Sequence, residues 1–240
     1  MTRNRVFRLL SASLLLLGAT AASAQSVFSI GPRISNYSTR VEGDPATTLR
    51  TGRQTAFGLV GDYRNGNFDL DFTYDRDSSN GASITDIFID ADDYERNRGE
   101  LALGYAILPM LDIQGGVRYE EIRFGGFTIF ANPFLTDMTM THQALVAGIK
   151  LHSTTMNPAG FYLIARGLVG TAKFDDNADT QKDTSGWRAE VGIPIALGSS
   201  NWHLVPGAEY EKFDTKSFGL GQKVRLDSNR VFLNFVFRSR

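Results

Sequence analysis

Residues 67–76 read Asn-Phe-Asp-Leu-Asp-Phe-Thr-Tyr-Asp-Arg, with large apolar and polar side chains alternating without a break. Successive side chains of a strand point to opposite faces. Phe68, Leu70, Phe72 and Tyr74 therefore share one face, and Asp69, Asp71, Thr73 and Asp75 the other. The second face is too charged for a protein core and the first too apolar for water. A strand of this kind constrains the fold severely, because it needs an apolar medium on one side and a polar enclosure on the other. Weaker copies of the pattern give candidate strands at 26–40, 53–63, 94–107, 111–123, 138–152, 160–174, 185–197, 202–213 and 228–237.

The connections alternate in length. Short ones fall at Arg64-Asn65-Gly66, Leu108-Pro109-Met110, Ser153 to Ala159 and Gly198-Ser199-Ser200-Asn201, the first an Asn-Gly hairpin turn. Long polar ones fall at 41–52, 77–93, 124–137, 175–184 and 214–227. Short turns at one end and long loops at the other, with an even number of strands, is the plan of a transmembrane antiparallel up-and-down β-barrel. All-β architecture with ten strands is expected, and eight is the alternative. A secreted β-sandwich would need neither charged inner faces nor alternating loop lengths.

The first 24 residues agree with that plan. Arg3, Arg5 and Arg8 precede an apolar run from Leu9 to Ala19, and Ala22-Ser23-Ala24 offers a small-residue cleavage site before Gln25. This reads as a cleaved signal peptide over 1–24, followed by one barrel domain over 25–240, bound for the bacterial outer membrane. Three of the 25 basic residues and none of the 26 acidic ones lie in the signal, so the remainder carries a net charge of about −4. That sign gives no basis for nucleic-acid binding. There is no cysteine, which excludes disulfides, thiol chemistry and thiolate metal sites.

Outward positions carry Phe57, Leu59, Leu103, Val117, Leu145, Val169, Val191, Leu204, Val231 and Leu233 among others. Tyr63, Phe68, Tyr105, Phe161 and Trp202 mark one end of the strands, and Tyr74, Tyr119, Trp187 and Tyr210 the other. Two interfacial aromatic girdles follow from this distribution. Inward positions carry charges of both signs. A lumen network is expected from Arg33, Asp69, Asp71, Glu100, Arg118, Glu120, Arg166, Arg188, Glu190 and Glu209, with Asp62, Asp75, Arg96, Arg98, Asp112, Lys150, Glu211 and Arg230 facing the same way. Charges withdrawn from water need partners, so nearly balanced signs point to a closed, salt-bridged interior rather than an ion-selective pore. Arg118, Arg166 and Arg188 are the expected bidentate partners of Asp71, Glu100, Glu190 and Glu209.

Leu103-Gly104-Tyr105 followed by Gly115-Gly116-Val117-Arg118-Tyr119, and Val191-Gly192 followed by Gly207-Ala208-Glu209-Tyr210, resemble the repeated hairpins of outer-membrane β-barrels of the opacity-like and related small kinds. The last strand ends on Phe235 and Phe237 but continues with Arg238-Ser239-Arg240, where that family closes on an aromatic residue. The resemblance implies a monomer in contact with outer-membrane lipid and lipopolysaccharide, folded by the barrel assembly machinery. No cofactor, no metal and no catalytic residue is expected.

The leading functional expectation is a non-enzymatic surface protein serving envelope integrity or surface interaction. A narrow passive pore for small solutes and an omptin-like or lipid-modifying hydrolase are the alternatives. Omptin chemistry requires paired acids facing a His-Asp couple. The chain offers Asp90, Asp92, Asp93 and His142, with Asp137 the acid nearest His142 in sequence. Asp175, Asn177 and Asp179 begin like a calcium loop, yet Thr180 and Gly186 stand where that loop needs glycine and glutamate. The apolar residues of 77–93 and 124–137 suit strands that protrude above a membrane or a surface that binds a partner.

Overall fold

The structure is a computed structural model. It describes residues 26–43, 47–50, 53–77, 84–85, 89–91, 93–125, 128–129, 138–153, 160–174, 182–218 and 222–239. Ten long strands form the wall: β1 Val27–Gly43, β2 Gln54–Asn65, β3 Phe68–Asp77, β4 Asp93–Leu108 and β5 Leu111–Gly125, then β6 Met138–His152, β7 Tyr162–Phe174, β8 Lys182–Gly192, β9 Trp202–Phe218 and β10 Gln222–Arg238. Each pairs antiparallel with its sequence neighbours, as in Leu59↔Tyr74 of β2 and β3 and Glu190↔Glu209 of β8 and β9. Pairing of β1 with β10, through Ile30↔Phe237 and Arg33↔Asn234, closes the sheet on itself. A closed barrel leaves no edge whose backbone groups lack partners, which is what allows a sheet to cross lipid. The ten-strand expectation is borne out, and the eight-strand alternative is set aside.

The inside-outside pattern follows the alternation of side chains. Leu145 and Val169 are 69% and 68% exposed, whereas Arg33, Arg98 and Arg188 are each 1% exposed. A globular protein would show the reverse. Outward residues of β8 and its extension, Trp187, Val191, Ile193, Ile195 and Leu197, are all exposed. At about 3.3 Å per residue and a tilt near 40°, this run covers roughly 25 Å, the height of an outer-membrane apolar band. Rings meet at both rims. Phe68 stacks edge-on against Tyr105 at 5.3 Å, Trp202 lies over Phe235 at 4.5 Å, and Trp187 leans on Tyr210 at 5.0 Å.

Two inward glycines let the wall close tightly over large rings. A Cβ on Gly207 would stand 2.2 Å from the Phe232 ring, and one on Gly192 would stand 2.4 Å from the Tyr162 ring. Gly66 adopts φ +59° in the β2–β3 turn, as the Asn-Gly signal requires.

The strands outrun the sequence-based bounds at the long-loop end. The hairpin of β9 and β10 continues to Phe218 and Gln222, so most of the expected loop 214–227 is paired strand. Charged and polar residues there break the apolar outer face, which hides strands that continue above it. Thr47–Arg50 folds back onto β1, and Ile84–Thr85, Ile89–Ala91 and Thr128–Ile129 form a separate small sheet. In that sheet Ile89↔Ile129 joins the loop after β3 to the loop after β5. The signal segment 1–24, the side chains of Asp90 and Asp93, and Asp92, Asp137 and the 175–180 loop lie outside the described residues.

Candidate functional site

The lumen is crossed by ion pairs at mid-height. Strands β4 and β9 are five strands apart in either direction round the wall. Even so, Arg98 Nη1 donates to Glu209 Oε1 at 2.5 Å and lies 3.2 Å from Glu211 Oε2. Arg118 of β5 grips Glu211 of β9 with both terminal nitrogens, at 2.7 and 2.6 Å. Arg188 of β8 reaches Glu100 of β4 at 2.7 Å, and Arg166 of β7 reaches Asp71 of β3 at 2.8 Å as well as Glu100. A guanidinium and a carboxylate that meet from opposite walls leave no open bore at that level.

Each of the ten sequence-derived network residues has a charged neighbour here. Arg33 lies 3.5 Å from Glu190 and 4.0 Å from Glu209, with its guanidinium 3.8 Å over the Phe232 ring. Glu120 takes Arg118 at 2.8 Å and also Arg96. Asp69 and Asp71 receive Lys150 at 2.8 and 2.6 Å. The pairing differs from the expectation in one respect. Arg118 holds Glu211 and Glu120 and stands only within 4.0 Å of Glu100, because the stagger of strands around the barrel brings β9 residues opposite it.

Sequence reasoning passed over several participants. Arg64, taken as part of a turn, bonds Asp112 and donates to His152 Nε2 at 3.0 Å. Its signal was parity, since it stands two residues after the inward Asp62. Gln114 donates to Asp71 at 2.5 Å and accepts from Arg166 at 2.7 Å. Tyr37 donates to Asp77 at 2.6 Å, and Tyr162 donates to Glu190 at 2.8 Å.

Asp62, Asp69 and Asp71 bring their carboxylate oxygens within 4.8 Å of one another. Lys150 Nζ stands 2.8, 2.8 and 2.6 Å from the three, so the chain supplies its own cation at the place where a metal would sit.

Above the charged level apolar and aromatic groups enter the lumen beside the buried polar Thr39, Gln54, Asp77, Thr184 and Thr215. Tyr37, Tyr94, Ile122, Met140, Phe213 and Leu226 all point inward and are buried. His142 belongs to this layer, stacked on Phe213 at 4.9 Å, with Nε2 2.9 Å from Thr184 Oγ1 and Nδ1 3.5 Å from Glu120. Below the charges lies a cavity of about 340 Å³, bordered by the turn residues Pro109 and Ser153.

No protein-family model matches this chain, and no curated protein matches it. Solved structures do. The outer membrane protease OmpT from Escherichia coli is 8% identical over 92% of this chain and 99% of its own, with a TM-score of 0.54. The chain has the fold of an outer-membrane β-barrel. Also similar are the translocator domain of the autotransporter NalP from Neisseria meningitidis (9% identical, 96% and 94% covered, TM-score 0.46) and the Neisserial surface protein A (14% identical, 87% and 97% covered, TM-score 0.36). At such identities the likeness to OmpT is one of fold, and it brings none of that protein's chemistry to this outer-membrane barrel.

Proposed function

We propose that this protein is exported by the signal peptide at 1–24, cleaved, and inserted as a monomer in the bacterial outer membrane. There it serves envelope integrity or surface interaction as a closed, non-enzymatic barrel. Outer-membrane lipid and lipopolysaccharide surround it, and the barrel assembly machinery folds it. The hairpins around Gly104–Tyr119 and Gly192–Tyr210 ally it in our reading with the opacity-like small barrels. In this orientation the short turns face the periplasm and the long loops the outside.

The observation that carries the proposal is the Arg98–Glu209 contact of 2.5 Å between opposed walls, with the apolar layer of Tyr94, Ile122 and Phe213 above it. A pore lining shows charge to water. Here the opposite charges consume each other. His142, the candidate base of a hydrolase, is 1% exposed and engaged by Thr184 and Phe213, which favours the non-enzymatic reading. Purified protein in planar lipid bilayers is expected to give no stable conductance. Reproducible single-channel steps would replace the closed barrel with the narrow passive pore.

A further inference from the structure

A cavity lies at the short-turn end of the lumen, bordered by Pro109 and Ser153. Its volume of about 340 Å³ has room for about ten waters or one small organic molecule. Part of its wall is apolar: Val60, Ile164, Val205 and Val236. The deep cations that border it are already neutralised, Lys150 by three carboxylates, Arg166 by Asp71 and Glu100, and Arg188 by Glu100 and Glu190.

Two groups are not satisfied in this way. Arg238, inward at the end of β10 and half-buried, lines the cavity; among the described residues its guanidinium makes no hydrogen bond and no ion pair within 4 Å, and the carboxylate of Asp62 acts on it only at longer range. It is the charge left over by the tail that continues past Phe237. Asn234, four residues deeper on the same face, is 4% exposed and its Oδ1 has no hydrogen-bond partner. A buried amide oxygen without a partner costs about 1–3 kcal/mol, so such a group facing a cavity marks the place of a missing donor.

We propose that this chamber binds a small organic anion entering from the short-turn end. Arg238 holds its carboxylate at the rim, its apolar body lies between Val60, Ile164, Val205 and Val236, and a hydroxyl at its far end donates to Asn234. Charge at one end, apolar surface between and a donor at the other follow from the order of these groups along the chamber. The site does not depend on whether the barrel conducts, because Asn234 and Arg238 both lie on the short-turn side of Arg230, the β10 residue registered with Glu209.

Isothermal titration of the refolded full chain in detergent micelles with 4-hydroxybenzoate, benzoate and 4-hydroxybenzamide tests the assignment. One-to-one saturable binding of 4-hydroxybenzoate is expected at up to millimolar concentration. Arg238→Gln is expected to weaken it about tenfold or more while changing 4-hydroxybenzamide by less than about twofold, the difference expected of one charge-assisted contact. Asn234→Ala is expected to weaken 4-hydroxybenzoate and leave benzoate unchanged. Val205→Trp, which fills the chamber from the position paired with Asn234, should abolish binding of all three, including benzoate, which makes no contact with Asn234. The unheated electrophoretic mobility of each variant reports whether the barrel is formed. No saturable heat with the folded wild type would mean that the chamber holds water alone and would overturn the proposal. So would binding that Arg238→Gln and Val205→Trp leave intact.

Discussion

Residues of like charge face each other repeatedly across neighbouring strands of this barrel. Arg166 is registered against Arg188, Glu190 against Glu209, and Asp62 against Asp71. Such pairs repel, and a sheet tolerates them only when a third group neutralises both. Here Glu100 takes both arginines, Arg188 takes both glutamates, and Lys150 takes both aspartates. The stabilising unit is therefore a triad, and the one centred on Glu100 spans the lumen from β4 to β7 and β8. Glu100→Gln leaves Arg166 with Asp71 and Arg188 with Glu190 and Glu209, but removes the one carboxylate that the two registered arginines share. It is expected to destabilise the barrel by about 3–5 kcal/mol, read from guanidinium unfolding in micelles. Arg33→Met should cost far less. Arg33 makes no hydrogen bond with its guanidinium, and Glu190 and Glu209 keep Arg188 when it is gone. Equal losses for the two variants would mean that burial, and not the triad, sets the cost. Alternation alone made the inward position of these charges legible, because parity along a strand needs only the sequence. The partners were not legible. Who meets whom across a barrel depends on the stagger of strands round the wall, so Glu211, outside the expected set of Asp71, Glu100, Glu190 and Glu209, is the bidentate partner of Arg118.

At the scale of the strand, the sequence signal weakens wherever the chain leaves the apolar band. Boundaries at the short-turn end fall within two residues of the expected ones, as at 111 for β5 and 202 for β9, because Gly, Pro and Asn mark the turns. The exception is β8, which ends at Gly192 and not 197, with Ile195–Ala196 a separate short strand after Pro194. At the other end β9 and β10 run on through Asp214, Lys216, Lys223 and Arg225, where the outer face is charged and Phe213 and Leu226 lie on the inner one, so the apolar signal no longer marks the lipid-facing side. Glycine spacing carries information of a different kind. An outward glycine faces the surrounding medium, while an inward one at a ring contact lets two strands and a side chain share one space. Gly207→Ala places a methyl group 2.2 Å from the Phe232 ring, on which Arg33 rests, and 2.4 Å from the Val191 carbonyl. A loss of about 1–3 kcal/mol is expected from this overpacking. The outward Gly115 has its nearest neighbour 3.9 Å from the corresponding position, so Gly115→Ala should stay within about 0.5 kcal/mol. Unfolding midpoints of both variants in the same detergent check the contrast. A large loss at Gly115 would show that strand curvature, and not the ring contact, governs both positions.

For the whole molecule, closure is built from two unlike layers in series. The lower is the ion-pair lattice around Arg98, Arg118 and Arg188, and the upper is the layer of Tyr37, Tyr94, Ile122, Met140, Phe213 and Leu226. The lower layer was readable from charge parity. The upper one was not, since inward apolar residues in this part of the strands break the rule that separates lipid-facing from lumen-facing positions. Two barriers in series block a path if either is intact. Replacing Arg98, Arg118 and Arg188 together by Ser empties the middle of the lumen but leaves Tyr94 and Phe213 across it, so this variant should remain silent in planar bilayers. Replacing Tyr94 and Phe213 by Ala alone leaves the lattice in place, and should be equally silent. Only the combination of all five is expected to conduct, in steps whose size reflects a ten-stranded bore. Conductance from the arginine variant alone would make the upper layer permeable and assign closure to the charges. Silence from the combined variant, with its folded mobility preserved, would move the seal to the loops above the barrel.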